Sequence, residues 1–156
     1  MIVRFRLNGE SIVQVVKPNE TLLDVLRDRI KLHSVKKGCD EGLCGTCTVI
    51  LNGVPVRSCL MLAVQANDAD IITVEGLAKL GTLSEIQQAF LEKNGFQCGF
   101  CTSGMMLTAK VLLDSNPKPS LDDIKDAFDG QLCRCTGYEQ IIESVQRAAE
   151  LRAAKK

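Results

Sequence analysis

Eight cysteines constrain this 156-residue chain more than any other feature. They fall into two sets of four, Cys39, Cys44, Cys47, Cys59 and then Cys98, Cys101, Cys133, Cys135. Each quartet is the size of one metal site, so the fold has to gather four thiols twice. The length suits one medium domain or two small ones, and two small ones would each have a thin core. Metal staples would offset that deficit.

Small disulfide-rich secreted domains are the rival use of many cysteines. Met1 to Leu7 runs directly into an alternating pattern, with no basic segment followed by an apolar run of the kind that opens a secretory signal. The expectation is a cytoplasmic protein, where thiols stay reduced and metal ligation outweighs disulfide bridging. Lysines plus arginines equal aspartates plus glutamates at 19 each, which gives no basic footprint for nucleic acid. The most apolar stretch, Met105 to Leu113, is interrupted by Lys110 and falls short of the ~20 residues that span a bilayer, so no membrane span is expected. The one histidine, His33, excludes a Rieske centre, which needs two His ligands on one iron. It is read as a surface residue near a helix end.

Hydrophobic period divides the chain near residue 76. Before it, Val3, Phe5 and Leu7 alternate with Arg4 and Arg6, which predicts a half-buried strand. Asn8-Gly9 supplies a hairpin turn, and Ile12 to Val16 pairs back. Asn19 or Thr21 caps a helix whose Leu22, Val25, Leu26 and Ile30 share a face. Thr48 to Leu51 and Val54 to Arg57 flank a second Asn-Gly at Asn52-Gly53, and Ile71 to Val74 is the last strand. Beyond residue 76 the period is helical. Leu83, Ile86, Phe90 and Leu91 form one face, and Met105, Leu112 and Leu113 lie in the next segment. Ser120 with Asp123 opens a third helix carrying Leu121, Ile124 and Phe128. A fourth begins near Tyr138 and carries Ile141, Ile142, Val145 and Ala149, with Arg152, Lys155 and Lys156 at its negative pole.

The first cysteine set has four, then two, then eleven residues between successive members. Its opening C-x4-C-x2-C is the plant-type ferredoxin spacing and points to a 2Fe-2S cluster. Gly38, Gly42 and Gly45 let the loop wrap three thiolates round a small inorganic core and bring amide N–H groups to the sulfurs. A structural zinc site would more often use two C-x2-C knuckles. The second set has two residues inside its first pair and one inside its last, and its spacing alone leaves zinc as a rival. Iron and sulfur are favoured because Cys101 and Cys135 each precede a predicted helix, whose positive end stabilises an anion. Phe96, Phe100 and Tyr138 flank these ligands, either excluding water or packing the core. No Walker loop, G-x-G-x-x-G or nucleophile–base motif is present, and Ser11, Ser58 and Ser103 read as turn or capping residues. Two redox centres without catalytic equipment make a relay, with substrate chemistry on a partner.

Three motifs in order, Gly38-Cys39 through Cys47-Thr48-Val49, Gln97-Cys98-Gly99-Phe100-Cys101 and Leu132-Cys133-Arg134-Cys135-Thr136-Gly137-Tyr138, resemble the small iron-sulfur subunit of molybdenum hydroxylases, the xanthine dehydrogenase family. The resemblance covers nearly the whole chain. It implies an α+β fold, with a β-grasp ferredoxin-like domain over residues 1–75 and a four-helix-bundle domain over residues 76–156, each holding one 2Fe-2S cluster. It implies a large partner subunit carrying a molybdopterin cofactor and a medium subunit carrying FAD. Electrons would pass from the molybdenum to the cluster of Cys98, Cys101, Cys133 and Cys135, then to that of Cys39, Cys44, Cys47 and Cys59, then to the flavin. By the same resemblance Gln97 would hydrogen-bond the pterin, and Cys135 would be the ligand nearest its amino group. The alternative for Gln97 is a helix-terminal amide satisfied within its own chain. Two positions depart from the family pattern. Ser103 stands where Pro is common and is expected to cap the helix instead, and Thr46 stands where Ala is frequent and is expected to change little.

The competing reading is an independent ferredoxin-like carrier or redox sensor whose helical half is a zinc-stabilised interaction module. Metal content separates the two.

Overall fold

The computed structural model describes residues 1–155, so Lys156 lies outside the described residues. The chain opens with β1 (Ile2–Leu7), whose Val3, Phe5 and Leu7 point into the core while the residues between them face solvent. Asn8 and Gly9 both take positive φ, 52° and 92°, as a tight hairpin turn of matching twist requires. They reverse the chain into β2 (Glu10–Val15), which begins two residues earlier than the alternation predicts because the turn sets the register from Leu7↔Glu10.

Thr21, the second of the two candidate caps, closes a capping box with Asp24 over α1 (Leu22–Asp24). The helix then widens into a π turn over Val25–Arg29, with Ile30 N–H donating to the Val25 carbonyl at 3.0 Å. Leu22, Leu23, Val25 and Leu26 are all fully buried, so this short helix is covered on more than the single face expected.

The hairpin of β3 (Thr48–Leu51) and β4 (Val54–Arg57) turns at Asn52-Gly53 as read from the sequence. Then β5 (Asp70–Ile72) inserts between β1 and β3, giving the strand order β2-β1-β5-β3-β4, parallel only at β1–β5. The expected strand Ile71–Val74 stops early because the Asn8 carboxamide takes over at Thr73. Its oxygen accepts the Thr73 N–H and its nitrogen donates to the Thr73 hydroxyl, both at 2.9 Å. The mixed sheet with a helix across one face is the β-grasp arrangement.

Four helices follow. Ser84 and Gln87 form a capping box at α2 (Glu85–Glu92), whose inward face is Ile86, Ala89 and Phe90; Leu83 and Leu91, expected on that face, are exposed. α3 (Thr102–Ser115) is buried on all sides from Gly104 to Ala109 and forms the centre of the helical half. Ser120 and Asp123 cap α4 (Leu121–Ala127), as the sequence indicates. In α5 (Glu139–Ala154), Ile141, Val145 and Ala148 face inward.

Ser103 does not cap α3. Its hydroxyl donates to the Ser34 carbonyl at 2.7 Å and ties the helix to the N-terminal half. His33 is exposed, as expected. Among the described residues no helix is long and apolar enough to cross a membrane.

The halves meet on β3. Val49 packs into the cluster built by β1, α1 and β5, whereas Ile50, pointing the other way, joins the helical core with Ile86, Phe90 and Met105. Alternation along one strand therefore supplies both cores.

Candidate metal centres

All eight cysteines are free thiols. The sulfur pairs Cys47–Cys59 at 3.3 Å and Cys98–Cys135 at 3.5 Å are far beyond the ~2.05 Å of a disulfide. They sit near the ~3.8 Å edge of a tetrahedron built on ~2.3 Å metal–sulfur bonds. Cys39 with Cys44 and Cys101 with Cys133 interact in the same pairwise way. Among the described residues no group of three or more His, Cys, Asp or Glu gathers as a single ion requires. Two close pairs per quartet are the donor set a two-iron cluster takes, two thiolates for each iron, so the residues fit that group.

The first quartet is assembled by the sheet. The loop 38–47 supplies Cys39, Cys44 and Cys47, while the β3–β4 hairpin brings back Cys59 on the turn Ser58–Leu60. Ser58 locks that return, its hydroxyl donating to the Cys47 carbonyl at 2.7 Å. The backbone N–H groups of Glu41 and Cys44 donate to Cys39 Sγ at 3.4 Å, and Cys39 N–H donates to Cys44 Sγ at the same distance. Those amides, Glu41 first, bring the Cys39 thiol down to about 7. Burial pushes Cys59 the other way, up to about 12, so its thiolate needs a cation to persist. Gly42 has φ +79°, and a Cβ there would come within 2.3 Å of Leu60. Only glycine lets the loop pass this close.

The second quartet spans two chain segments. Cys98 and Cys101 precede α3, and Cys133 and Cys135 precede α5. Cys101 is buried, and burial raises its thiol to about 12; Cys98 and Cys135 are exposed. The Phe100 N–H lowers Cys98. Against the penalty of burial, the Thr136 hydroxyl (3.1 Å) and N–H (3.5 Å) draw Cys133 down. Tyr138 holds this loop from its far end. It sits at φ +71°, an unusual conformation for a bulky residue, and its hydroxyl accepts the Cys133 N–H at 3.0 Å. Phe96 and Phe100, flanking the ligands in sequence, are exposed at 37% and 45%, so neither is core packing. Gln97 is exposed beside Cys98.

The two sites adjoin. One cavity of about 240 Å³ is lined by Cys39, Cys44 and Thr46 together with all four cysteines of the second set. Leu132 N–H donates to the Cys44 carbonyl at 2.9 Å, which joins a residue next to Cys133 directly to a residue of the first site. Beside it lies Gln131, 3% exposed. Its amide nitrogen donates to the Gly45 carbonyl at 3.1 Å while its oxygen accepts from Thr108 at 2.7 Å and Arg57 at 2.9 Å. Arg57 also donates to the Gly130 carbonyl at 2.9 Å. At Gly104 a Cβ would stand 2.5 Å from the Gly45 carbonyl oxygen, so α3 rests directly on the first loop.

Sequence reasoning missed Gln131, whose partners are distant in the chain. Thr46, expected to change little, instead places its hydroxyl 3.2 Å from Cys44 Sγ. A hydroxyl two residues after a ligand was the available signal.

Residues 5–72 match the 2Fe-2S iron-sulfur cluster binding domain, and residues 73–146 match the [2Fe-2S] binding domain. The second match overturns zinc as the metal of the helical half. The chain is 54% identical over 148 residues to the nicotinate dehydrogenase small FeS subunit of Eubacterium barkeri, covering 95% of this chain and 94% of that protein. Its fold superimposes on quinoline 2-oxidoreductase from Pseudomonas putida 86 with a TM-score of 0.95 and 44% identity, covering 99% of this chain and 96% of that one. It also superimposes on aldehyde oxidoreductase from Desulfovibrio desulfuricans ATCC 27774 with a TM-score of 0.94 and 40% identity, covering 99% of this chain but 17% of that longer one. With two 2Fe-2S domains in sequence and relatives of this identity, the chain belongs to the family of small iron-sulfur subunits of the molybdenum hydroxylases.

Proposed function

We propose that this chain carries electrons between a larger molybdopterin-bearing subunit and a flavin, in the cytoplasm, through two 2Fe-2S sites. Cys98, Cys101, Cys133 and Cys135 hold the entry site within residues 76–156. Cys39, Cys44, Cys47 and Cys59 hold the exit site within residues 1–75. Bound there, each cluster accepts and returns one electron with little nuclear rearrangement.

The observation that carries this reading is the single cavity bordered by both quartets, with Leu132 bridging the two loops. Direction comes from exposure. Cys98, Cys135 and Gln97 lie at the surface, where a partner's cofactor can approach, whereas Cys47 and Cys59 are sealed in the sheet. Gln97 is assigned to the pterin as a hydrogen-bonding amide, and Cys135 is assigned as the ligand nearest it. FAD on a medium subunit is the acceptor in this scheme.

Among the similar proteins described, two are named for N-heteroaromatic compounds, nicotinate and quinoline, and one for aldehydes. An N-heteroaromatic substrate is therefore the class we assign to the larger subunit. The test is rapid mixing of the co-purified complex with nicotinate or quinoline, following each cluster by its own spectrum. The account expects the second-site cluster to be reduced before the first. Reduction of the first site ahead of the second would reverse the proposed order.

A further inference from the structure

We propose that Thr46 is a positioning residue that raises the reduction potential of the first cluster by donating its hydroxyl hydrogen bond to Cys44 Sγ. The inference rests on the ligand assignment above and goes beyond it by naming a group that is not itself a ligand. Thr46 is 4% exposed, and its hydroxyl lies 3.2 Å from Cys44 Sγ. Hydrogen positions leave either atom free to donate in the bare thiol. A thiolate bound to iron carries no proton, so in the loaded site the hydroxyl is the donor.

Gly38 keeps the place open. A Cβ there would stand 2.7 Å from Thr46 Oγ1 and 2.9 Å from Cys44 Sγ, wedging the pair apart. The second site has the same device, with Thr136 Oγ1 3.1 Å from Cys133 Sγ and accepting the Tyr138 N–H at 3.3 Å. The two thiolates so served belong to the two loops that the Leu132–Cys44 hydrogen bond joins. The hydroxyls thus sit where one electron crosses between the sites, and Thr46 acts on the receiving side.

The sign follows from charge. Reduction adds one electron and makes or breaks no bond, so a dianionic cluster with its four thiolates becomes a trianion. A donor to a thiolate sulfur stabilises the more negative form and raises the potential. Removing it lowers the potential.

The experiment is an EPR-monitored redox titration of the intact complex carrying Thr46→Val, Thr46→Ala or Thr46→Ser. At a fixed ambient potential near the midpoint, the reduced-to-oxidised ratio of the first-site signal is expected to fall about three- to tenfold in the Val and Ala variants. Tenfold corresponds to 59 mV for a one-electron couple. Thr46→Ser, which restores the hydroxyl, is expected to return the ratio to within about twofold of the parent. The second-site signal stays put in all three.

An unchanged ratio in Val and Ala with the first-site signal present overturns the proposal. So does a Ser variant that falls as far as Val. If Val and Ala assemble no first cluster while Ser does, the hydroxyl serves assembly and the tuning claim is likewise overturned. A parent complex without a first-site signal sinks the ligand assignment instead, which keeps the two failures apart.

Discussion

The two quartets differ in depth. Cys47 and Cys59 lie in the core of the sheet at 2% and 7% exposure, and the backbone N–H groups of Cys39, Glu41 and Cys44 donate to the sulfurs of the half-buried Cys39 and Cys44. The second quartet sits on two separate segments, each just before a helix, with Cys101 buried but Cys98 and Cys135 open to the surface. A buried anionic site gains stability from fixed dipoles and loses access. An exposed one keeps access and depends on whatever docks against it to exclude water. In one relay the contrast has a use: the open site meets a partner's cofactor and the closed one receives the electron through the protein. Pairing them edge to edge, with Leu132 between, lets a single chain supply both environments.

Removing a deep ligand should have the largest effect. Cys59→Ser is expected to cost the first cluster outright, halve the iron from roughly four to two atoms per chain, and destabilise the N-terminal half. Iron analysis with EPR checks it, and unchanged iron would reject Cys59 as a ligand. Cys135→Ser strikes the shallow site. Substrate-driven reduction of the first cluster is expected to slow by roughly tenfold or more, with the thermal unfolding of the N-terminal half little altered. Rapid-reaction spectroscopy decides it, and an unchanged rate would reject the entry role.

A smaller change is expected where the halves join. Gln131→Ala leaves the buried Thr108 hydroxyl without its partner and takes one hydrogen bond each from the Gly45 carbonyl and the Arg57 guanidinium, at a cost of about 1–3 kcal/mol. The melting temperature of a chain this size then falls by about 2–12 °C. A melting temperature within error of the parent would show that the amide does not hold the two sites together. Gln97→Ala is expected to have the smallest effect, because Gln97 is exposed. Folding stability stays level, and affinity for the larger subunit drops by up to about tenfold, one hydrogen bond's worth. Subunit titration by calorimetry measures this, and undiminished affinity would argue against the amide facing the pterin.

Local signals in the sequence carried well into the structure. Both Asn-Gly pairs turn hairpins, Thr21 and Ser120 cap helices, and the cysteine spacings separate the quartets. What was hidden depends on contacts between distant residues. The Asn8 side chain ends β5 because the fold places it beside Thr73, 65 residues away. Leu83 and Leu91 have the right spacing for a buried face, yet α2 turns Ile86, Ala89 and Phe90 inward and leaves both leucines exposed. Ser103 sits where a cap is expected but finds the Ser34 carbonyl, 69 residues off, as its partner. Gln131 looked like an ordinary polar residue before a cysteine motif and proved to be the buried link between β3, β4 and α3. The π turn at Val25–Arg29 has no signature in the hydrophobic period, which an extra residue per turn only blurs.

The central claim is that one chain holds two 2Fe-2S clusters in series. EPR of the fully reduced complex, integrated against a spin standard, tests it most directly. Two distinguishable 2Fe-2S signals are expected, each of one spin per chain, with Cys59→Ser abolishing one and Cys98→Ser the other. A single signal integrating to one spin, with zinc found in the helical half, would contradict it.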